Sequence, residues 1–339
     1  MMTGESLYDV LQFKGEAGAK AIIDEVLDVC PEVTGVDKYN GGRTFPMHFG
    51  TESEDTMTTL FMTSIAETNP FRIANEGVEP NKGTYEKRLT QLATVTAYWF
   101  ADKSVLNKNP AAGATLMLQR GKEEMKRQQR ALGKQFFYGV KNGGYKDGFP
   151  GLLDLMMPEF VVDAGGTGDR LTSAYFVFFG EEGVSWRYGM NGSMELSEPS
   201  YVTKYDKNGR AFPALEQYLE YYPGLQVNSK FSVGRIANID VSSADSPTLS
   251  KDAFTDTHIY NLLVRLPAGM KPNVVFLPYR AALLLSASRA TVNVVANPST
   301  NLTLASAVTA PTTEFEGIPL VPTDSIRIGE PRWTKPKAS

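Results

Sequence analysis

The stretch FVVDAGGTGDRLTSAYFVFF, residues 160–179, decides between two classes of fold. An apolar run at 160–163 leads into the glycine-rich turn Ala164-Gly165-Gly166-Thr167-Gly168. A phosphate-binding loop needs a helix directly after its glycines, because the helix N-terminus supplies the N–H groups that face the phosphate. Here an aromatic, strand-favouring run at 175–179 follows instead. We therefore predict two strands joined by a hairpin turn, and no nucleotide-binding loop.

The remainder of the C-terminal half mixes strands with helices and shows no internal repeat. Apolar runs at 234–239, 273–277 and 318–322 have the length of buried strands, and residues 281–290 have the pattern of a helix. This mixture, from residue 148 onward, predicts an α+β fold.

A long amphipathic helix is predicted just before this region, between residues 111 and 138. Its apolar positions recur at three- and four-residue steps, and Gly139 follows the last turn as the expected C-cap. A helix of this length measures about 40 Å. One narrow stripe packs inward, which leaves a charged surface for partners. The stripe consists of Met117, Met125, Gln128, Leu132, Phe136 and Phe137.

Residues 44–101 are rich in threonine and alternate only weakly between apolar and polar side chains. A hydrophilic cluster at 75–83 has the glycine and proline content of a turn. We predict a long extended hairpin with too few apolar residues to bury itself. Because an isolated hairpin is marginal in water, we expect a second subunit to cover it. Before it, the sequence predicts a short helix at 15–30 and a turn at 35–43.

The composition of the 339-residue chain disfavours several classes of function. The net charge is −4 with no clustered Lys/Arg excess, whereas proteins that grip nucleic acid neutralise phosphates with such clusters. A container that holds DNA without binding it tightly remains compatible. The single cysteine, Cys30, excludes an intrachain disulfide and a four-thiolate zinc site. We recognise neither a signal peptide nor a membrane-spanning run, and expect a soluble cytoplasmic product without a membrane partner.

The sequence predicts no catalytic centre. The two histidines, His48 and His258, lie in polar surroundings, and we assign each a packing or surface role. The pair Glu123-Glu124 lies among Lys and Arg in the pattern of a solvated helix face, and no calcium-loop motif occurs. We therefore expect no catalytic residue, no metal and no cofactor, and a protein that is not an enzyme.

Five segments, in order along the chain, resemble the major capsid proteins of tailed bacteriophages with the Hong Kong ninety-seven fold, in the group common in podoviruses. The most specific is VVDAGGTG at 161–168, followed by Thr172-Ser173 and Gly180-Glu181. The others are FRIANEGVEPNK at 71–82, FFYG at 136–139 with GFPGL at 148–152, YPGLQV at 222–227 through RIANID at 235–240, and FEGIPL at 315–320 with TDSI at 323–326.

The resemblance implies a division of the chain into five parts. These are an N-terminal arm at 1–43, an extended β-hairpin loop at 44–95, a peripheral domain with a long spine helix at 96–147, an axial domain at 148–312, and a closing strand of the peripheral domain with the C-terminal tail at 313–339. It also implies a structural virion protein, assembled in the bacterial host cytoplasm. Its pentamers and hexamers would form an icosahedral shell around double-stranded phage DNA.

The partners implied are further copies of the chain, a portal protein, optionally a decoration protein, and DNA bound without sequence specificity. The segment before the hairpin is too short for a fused scaffolding domain of about 100 residues, so we expect a separate scaffolding protein. We expect intersubunit contacts at charged residues of the loop and the spine helix. These are Arg72, Glu76, Lys82, Lys87, Arg88, Glu123, Lys126 and Arg130.

A covalent lysine–asparagine cross-link is known within the wider fold. Lys82 and Lys87 lie in the predicted loop, but the sequence indicates no acceptor, and we expect no cross-link. Two other classes stay open at this point: an encapsulin-type cellular shell with the same fold and a protein cargo, and an unrelated soluble hydrolase.

Overall fold

The computed structural model describes residues 30–37, 43–44, 48–52, 56–64, 71–77, 84–108, 110–192, 194–242, 254–296 and 313–336. Except for Cys30, the predicted helix at 15–30 lies outside these residues, as do Lys82 and most of the turn at 35–43. The described helices are α1 (Pro31–Thr34), α2 (Lys103–Lys108), α3 (Pro110–Tyr138), α4 (Leu152–Leu155), α5 (Asp256–Leu263) and α6 (Tyr279–Ala296). The described strands are β1 (Val36–Asp37), β2 (Arg43–Thr44), β3 (Phe49–Thr51), β4 (Thr56–Ser64), β5 (Thr84–Gln91), β6 (Val95–Asp102), β7 (Val161–Asp163), β8 (Leu171–Val177), β9 (Val184–Tyr188), β10 (Glu195–Leu196), β11 (Ser200–Tyr205), β12 (Ala211–Tyr221), β13 (Pro223–Val227), β14 (Val233–Asp240), β15 (Val274–Leu277), β16 (Glu314–Phe315) and β17 (Ile318–Pro322).

A six-stranded mixed sheet, in the order β16-β17-β15-β8-β14-β7, forms the centre of the fold. Every residue of β8 is buried, and its side chains alternate between two cores as strand geometry requires. Tyr175 and Val177 join the core that contains α3, and Ala174 and Phe176 join the core that contains α5 and α6. The strands predicted near 234–239, 273–277 and 318–322 and the helix near 281–290 are confirmed, and so is the α+β fold class.

The predicted hairpin between β7 and β8 is wrong, because β14 lies between these two strands. β14 runs parallel to β7 and antiparallel to β8. The glycine-rich turn crosses β14 at a bulge, where Gly166 N–H donates to Asn238 O at 3.0 Å. A Cβ on Gly166 would lie 2.4 Å from that oxygen. Because glycine lacks a Cβ, it allows the two backbone segments to approach this closely. A need for close approach produces no periodic pattern in the sequence, so the pattern could not predict this strand order.

The long helix is confirmed as α3, and the predicted apolar stripe faces the core. Phe136 lies at its centre, with ring centroids 5.3 Å from Trp186 and 6.0 Å from Phe276. Gly139 ends the helix with φ +59° and its N–H donates to Gln135 O at 2.9 Å, which confirms the predicted C-cap.

A second sheet lies beneath α3 and is built around β12. β6 pairs with one edge of β12, while β10 and β11 share the other edge. The inward side chains of β6, Ala97, Trp99 and Ala101, are buried in the core that contains α3. The composition of residues 44–101 predicts β6 as part of the hairpin. This part of the prediction is wrong, because the hydrogen bonds of β6 go to β12. These hydrogen bonds therefore join residues on the two sides of the domain boundary predicted between residues 147 and 148. The division into domains remains a prediction.

β4 and β5 form a separate two-stranded antiparallel sheet, and this pairing confirms the predicted hairpin. Its register places Met62 opposite Tyr85, Leu60 opposite Lys87 and Thr58 opposite Leu89. β3 pairs with β9, which in turn pairs with β13, so a third sheet connects the chain before the hairpin to the body of the protein.

Candidate intersubunit surfaces

The β4–β5 hairpin, residues 56–64 with 84–91, has one buried face and one exposed face. On the inner face, Met57, Thr59 and Phe61 are buried. The backbone joins the body nearby, where Met62 N–H donates to Asn228 O at 2.9 Å. Residues directly opposite in an antiparallel pair share a face, and successive residues alternate. The inner face is therefore the attachment of the hairpin to its own subunit.

The outer face carries Leu60, Leu89 and Tyr85, which are 63%, 72% and 61% exposed. Lys87 lies among them, opposite Leu60, and is exposed. Three large apolar side chains on one face make a patch of the kind that binds another protein. We call these four residues the outer hairpin patch.

Arg88 faces inward, unlike its neighbour Lys87. Its guanidinium carbon lies 3.5 Å from the centroid of the Phe61 ring, and its Nη2 forms an ion pair with Glu86 at 3.1 Å. A cation over an aromatic face is attracted by the ring quadrupole. Arg88 therefore stabilises the hairpin within its own subunit.

Residues 71–77 are all exposed. Within them Arg72 donates to Glu76 O at 3.3 Å, so these two predicted contact residues are held together. Two large apolar side chains, Phe71 and Ile73, are 85% and 71% exposed beside them. This segment thus presents apolar and charged groups side by side.

The three predicted contact residues of α3 lie on its charged side. Glu123 and Arg130 are exposed and Lys126 is half-buried. Their spacing of three and four residues places them on one face of the helix. The structure thus brings them together as a stripe, separate from the outer hairpin patch.

Arg235 and Glu330 form a buried ion pair, which the sequence did not reveal. Arg235 Nη2 lies 2.9 Å from Glu330 Oε2, and their side chains are 8% and 3% exposed. The Tyr138 hydroxyl donates to Glu330 Oε1 at 2.5 Å, and the Ser173 hydroxyl donates to Oε2. Burial, with the charge of Glu330 close by, raises the pKa of Tyr138 above its usual range. The network joins α3, β8 and β14 to the segment after β17, which closes the fold.

The two histidines have local roles. His258 accepts from the Thr255 backbone in the capping box that begins α5, and partial burial lowers its pKa. Burial and the charge of Arg187 lower the pKa of His48.

Among the described residues no group of three or more His, Cys, Asp and Glu side chains is arranged to hold a metal ion. Within the same residues, no helix has both the length and the apolar content to cross a membrane.

Solved structures share this fold. A chain of bacteriophage Epsilon15 is 19% identical, with a TM-score of 0.56 and 97% of each chain covered. Two further matches have lower TM-scores. A chain of the procapsid of bacteriophage JBD30 is 8% identical, with a TM-score of 0.43 and 93% of this chain and 98% of that chain covered. A chain of the SrpI encapsulin complex from Synechococcus elongatus PCC 7942 is 10% identical, with a TM-score of 0.41 and 58% and 86% covered. No curated protein sequence matches.

The fold is thus that of the Hong Kong ninety-seven type capsid proteins of tailed phages. Residues 51–334 match the family model described as Major capsid protein GP7. Because this match spans most of the chain, the chain belongs to the Major capsid protein GP7 family and is a phage capsid shell protein of the virion. The resemblance stated from the sequence is confirmed, and the family favours it over both the encapsulin-type shell and the soluble hydrolase.

Proposed function

We propose that the chain forms pentamers and hexamers that close into an icosahedral shell around double-stranded DNA, and that the outer hairpin patch contacts a neighbouring subunit. The observation that carries this proposal is the one-sided burial of the hairpin. Leu60, Tyr85 and Leu89 expose most of their surface on one side, while Met57 and Phe61 are buried on the other. A partner can bind this outer face while the hairpin stays attached to its own subunit.

The anchored hairpin is well suited to repeated contacts. Its inner face is packed, so a partner that binds the outer face need not order a free loop, and that ordering cost is avoided. A fully buried leucine contributes about 1.5–3 kcal/mol relative to an exposed one, and each exposed leucine of the patch offers most of that amount. Repetition over a shell makes modest contacts collectively strong.

We propose that two sets of charged residues line the rims of contacts between subunits: Arg72, Glu76 and Lys87 in the loop region, and Glu123, Lys126 and Arg130 on α3. Exposed ion pairs contribute about 0–1 kcal/mol each, so their role is to orient subunits and to accelerate encounter. Arg88 contributes indirectly, because it holds the inner face of the hairpin in place.

The remaining partners follow from the shell. We propose assembly in the host cytoplasm with a separate scaffolding protein, a portal protein and optionally a decoration protein, and a structural role without catalysis. The net charge of −4 supports a wall that encloses DNA without gripping it.

Hydroxyl-radical footprinting of the full-length chain tests the patch. Tyr85, 61% exposed in the isolated subunit, is expected to lose most of its reactivity when subunits assemble into shells. Met57, buried already, is the control and should stay unreactive in both states. Equal reactivity of Tyr85 in subunits and shells would show that the outer hairpin patch is not an interface.

A further inference from the structure

The segment that begins at Cys30 is buried even though it carries a glutamate. Cys30, Glu32 and Val33 are 1%, 0% and 0% exposed. Glu32 lies in α1, and its backbone oxygen accepts from the Trp186 indole N–H at 3.1 Å. An acidic residue with no exposed surface needs a specific reason to be there, because burial of an unpaired carboxylate is costly.

The carboxyl group of Glu32 connects α1 to the segment after β17 and to α3. Thr323 Oγ1 lies 2.8 Å from Glu32 Oε2, and Ser325 Oγ hydrogen-bonds Oε1. Each hydroxyl can donate to an ionised carboxylate or accept from the protonated acid. On the α3 side Gly133 makes room, since a Cβ there would lie 2.2 Å from Glu32 Oε1. The side chain thus fills a slot built from elements almost 300 residues apart in the chain.

The charged groups around this slot do not stabilise the ionised form of the Glu32 carboxyl group. Within the described part of the chain, no Lys, Arg or His forms an ion pair with Glu32. Among the described residues, the ionisable groups near the slot are the Cys30 thiol on the same segment, Arg130 from α3, which is exposed, and Asp324 after β17. The charges of Arg130 and Asp324 act on the Cys30 thiol. Burial raises the pKa of Glu32, and the hydrogen bonds from Ser325 and Thr323 oppose that rise only in part.

We propose that Glu32 is a proton-linked latch, which holds the segment Cys30 to Gly35 against α3 and the 323–326 segment when its carboxyl group is protonated and loosens that segment when it ionises. The device makes the attachment of the segment Cys30 to Gly35 to the body of the subunit sensitive to pH. It is separate from the outer hairpin patch and independent of the proposed assembly.

The direction of the effect follows from proton linkage. The docked segment binds the Glu32 proton more tightly than the undocked segment does. Docking is therefore fully stable below the ordinary carboxyl range of about pH 4–5, and it weakens as pH rises through the interval up to the raised pKa. Within that interval the equilibrium constant for undocking grows by up to about tenfold per pH unit.

The single cysteine of the chain provides the measurement. Cys30 is two residues from Glu32 and buried, so a thiol reagent reacts with it only when the segment undocks. The labelling rate of the full-length subunit is followed from about pH 5 to about pH 8 in wild type and in Glu32→Gln. The thiol itself ionises with pH in both proteins, so the ratio of the two rates isolates Glu32.

The ratio of wild-type to Glu32→Gln labelling is expected to rise with pH across this range, by up to about tenfold per pH unit. A ratio that stays flat would overturn the proposal, and so would a ratio that falls with pH, which would mean that the docked carboxyl group is ionised. Glu182→Gln, at an exposed glutamate, is the matched control and should follow wild type at every pH.

Hydrogen exchange of wild type alone provides the second measurement, in case Glu32→Gln does not fold. The Gly35 amide, bonded to Pro31 O at 2.8 Å, should lose protection as pH rises, after correction for the intrinsic exchange rate. Constant protection would count against the latch.

Discussion

Removal of the outer hairpin patch should block assembly and leave the subunit folded. Leu60 and Leu89 are 63% and 72% exposed, so Leu60→Ala with Leu89→Ala creates little cavity within the subunit. Each truncation removes about three carbon groups at about 0.8 kcal/mol each when fully buried, of which roughly two thirds is available to a partner. The double variant therefore loses about 3 kcal/mol per contact, which weakens each contact about a hundredfold.

The assay is the subunit concentration at which shells appear in light scattering and electron micrographs. The double variant should require at least about tenfold more protein than wild type, with the thermal melting of its subunit unchanged. Val264→Ala is the matched control, because Val264 is 84% exposed but lies at the end of α5, far from the hairpin in sequence. The reasoning is refuted if the double variant assembles at the wild-type concentration.

Three further outcomes are expected. Glu330→Ala leaves Arg235 buried without its partner and should lower the free energy of unfolding by about 3–5 kcal/mol in urea titrations, whereas Glu86→Ala, in an exposed pair, should cost less than about 1 kcal/mol. Gly139→Ala should lower the free energy of unfolding much more than Gly209→Ala in the same titrations. Both glycines have positive φ, but only a Cβ at residue 139 would contact backbone, 2.3 Å from the nitrogen of residue 151. Equal losses of stability would show that the positive φ alone accounts for the cost. Particles boiled in detergent should run as one band at 37.2 kDa, and a ladder of multiples would reveal covalent cross-links.

Features governed by nearby residues were predictable from the sequence. The α3 helix follows from a three- and four-residue repeat, and its end at Gly139 follows from the left-handed backbone that glycine adopts there. That a hairpin forms within residues 44–101 was predictable for the same reason, since its first strand and the turn cluster lie within one short stretch. Its second strand was not, because 84–91 pairs with β4 while β6 pairs with the distant β12. The under-burial of that hairpin was also predicted. The concentration of exposed apolar residues on one face was not, because it depends on which face meets the body of the protein.

Features governed by distant residues were not predictable from the pattern. The placement of β14 between β7 and β8 brings Gly166 against the bulge at Asn238, a residue distant in the chain. The buried pair Arg235 and Glu330 joins residues 95 positions apart, each of which reads as a surface residue in isolation. Glu32 was equally unremarkable in sequence, because Thr323 and Ser325 create its environment only in the folded chain. At these positions the structure is determined by tertiary contacts and not by the local preference of the sequence.

Electron cryomicroscopy of shells formed by the full-length chain tests the central claim most directly. The account predicts an icosahedral shell of pentamers and hexamers in which Leu60, Tyr85 and Leu89 of each hairpin are buried against an adjacent copy. A chain that remains monomeric with its scaffolding protein present, or a shell in which this face points into solvent, would contradict it.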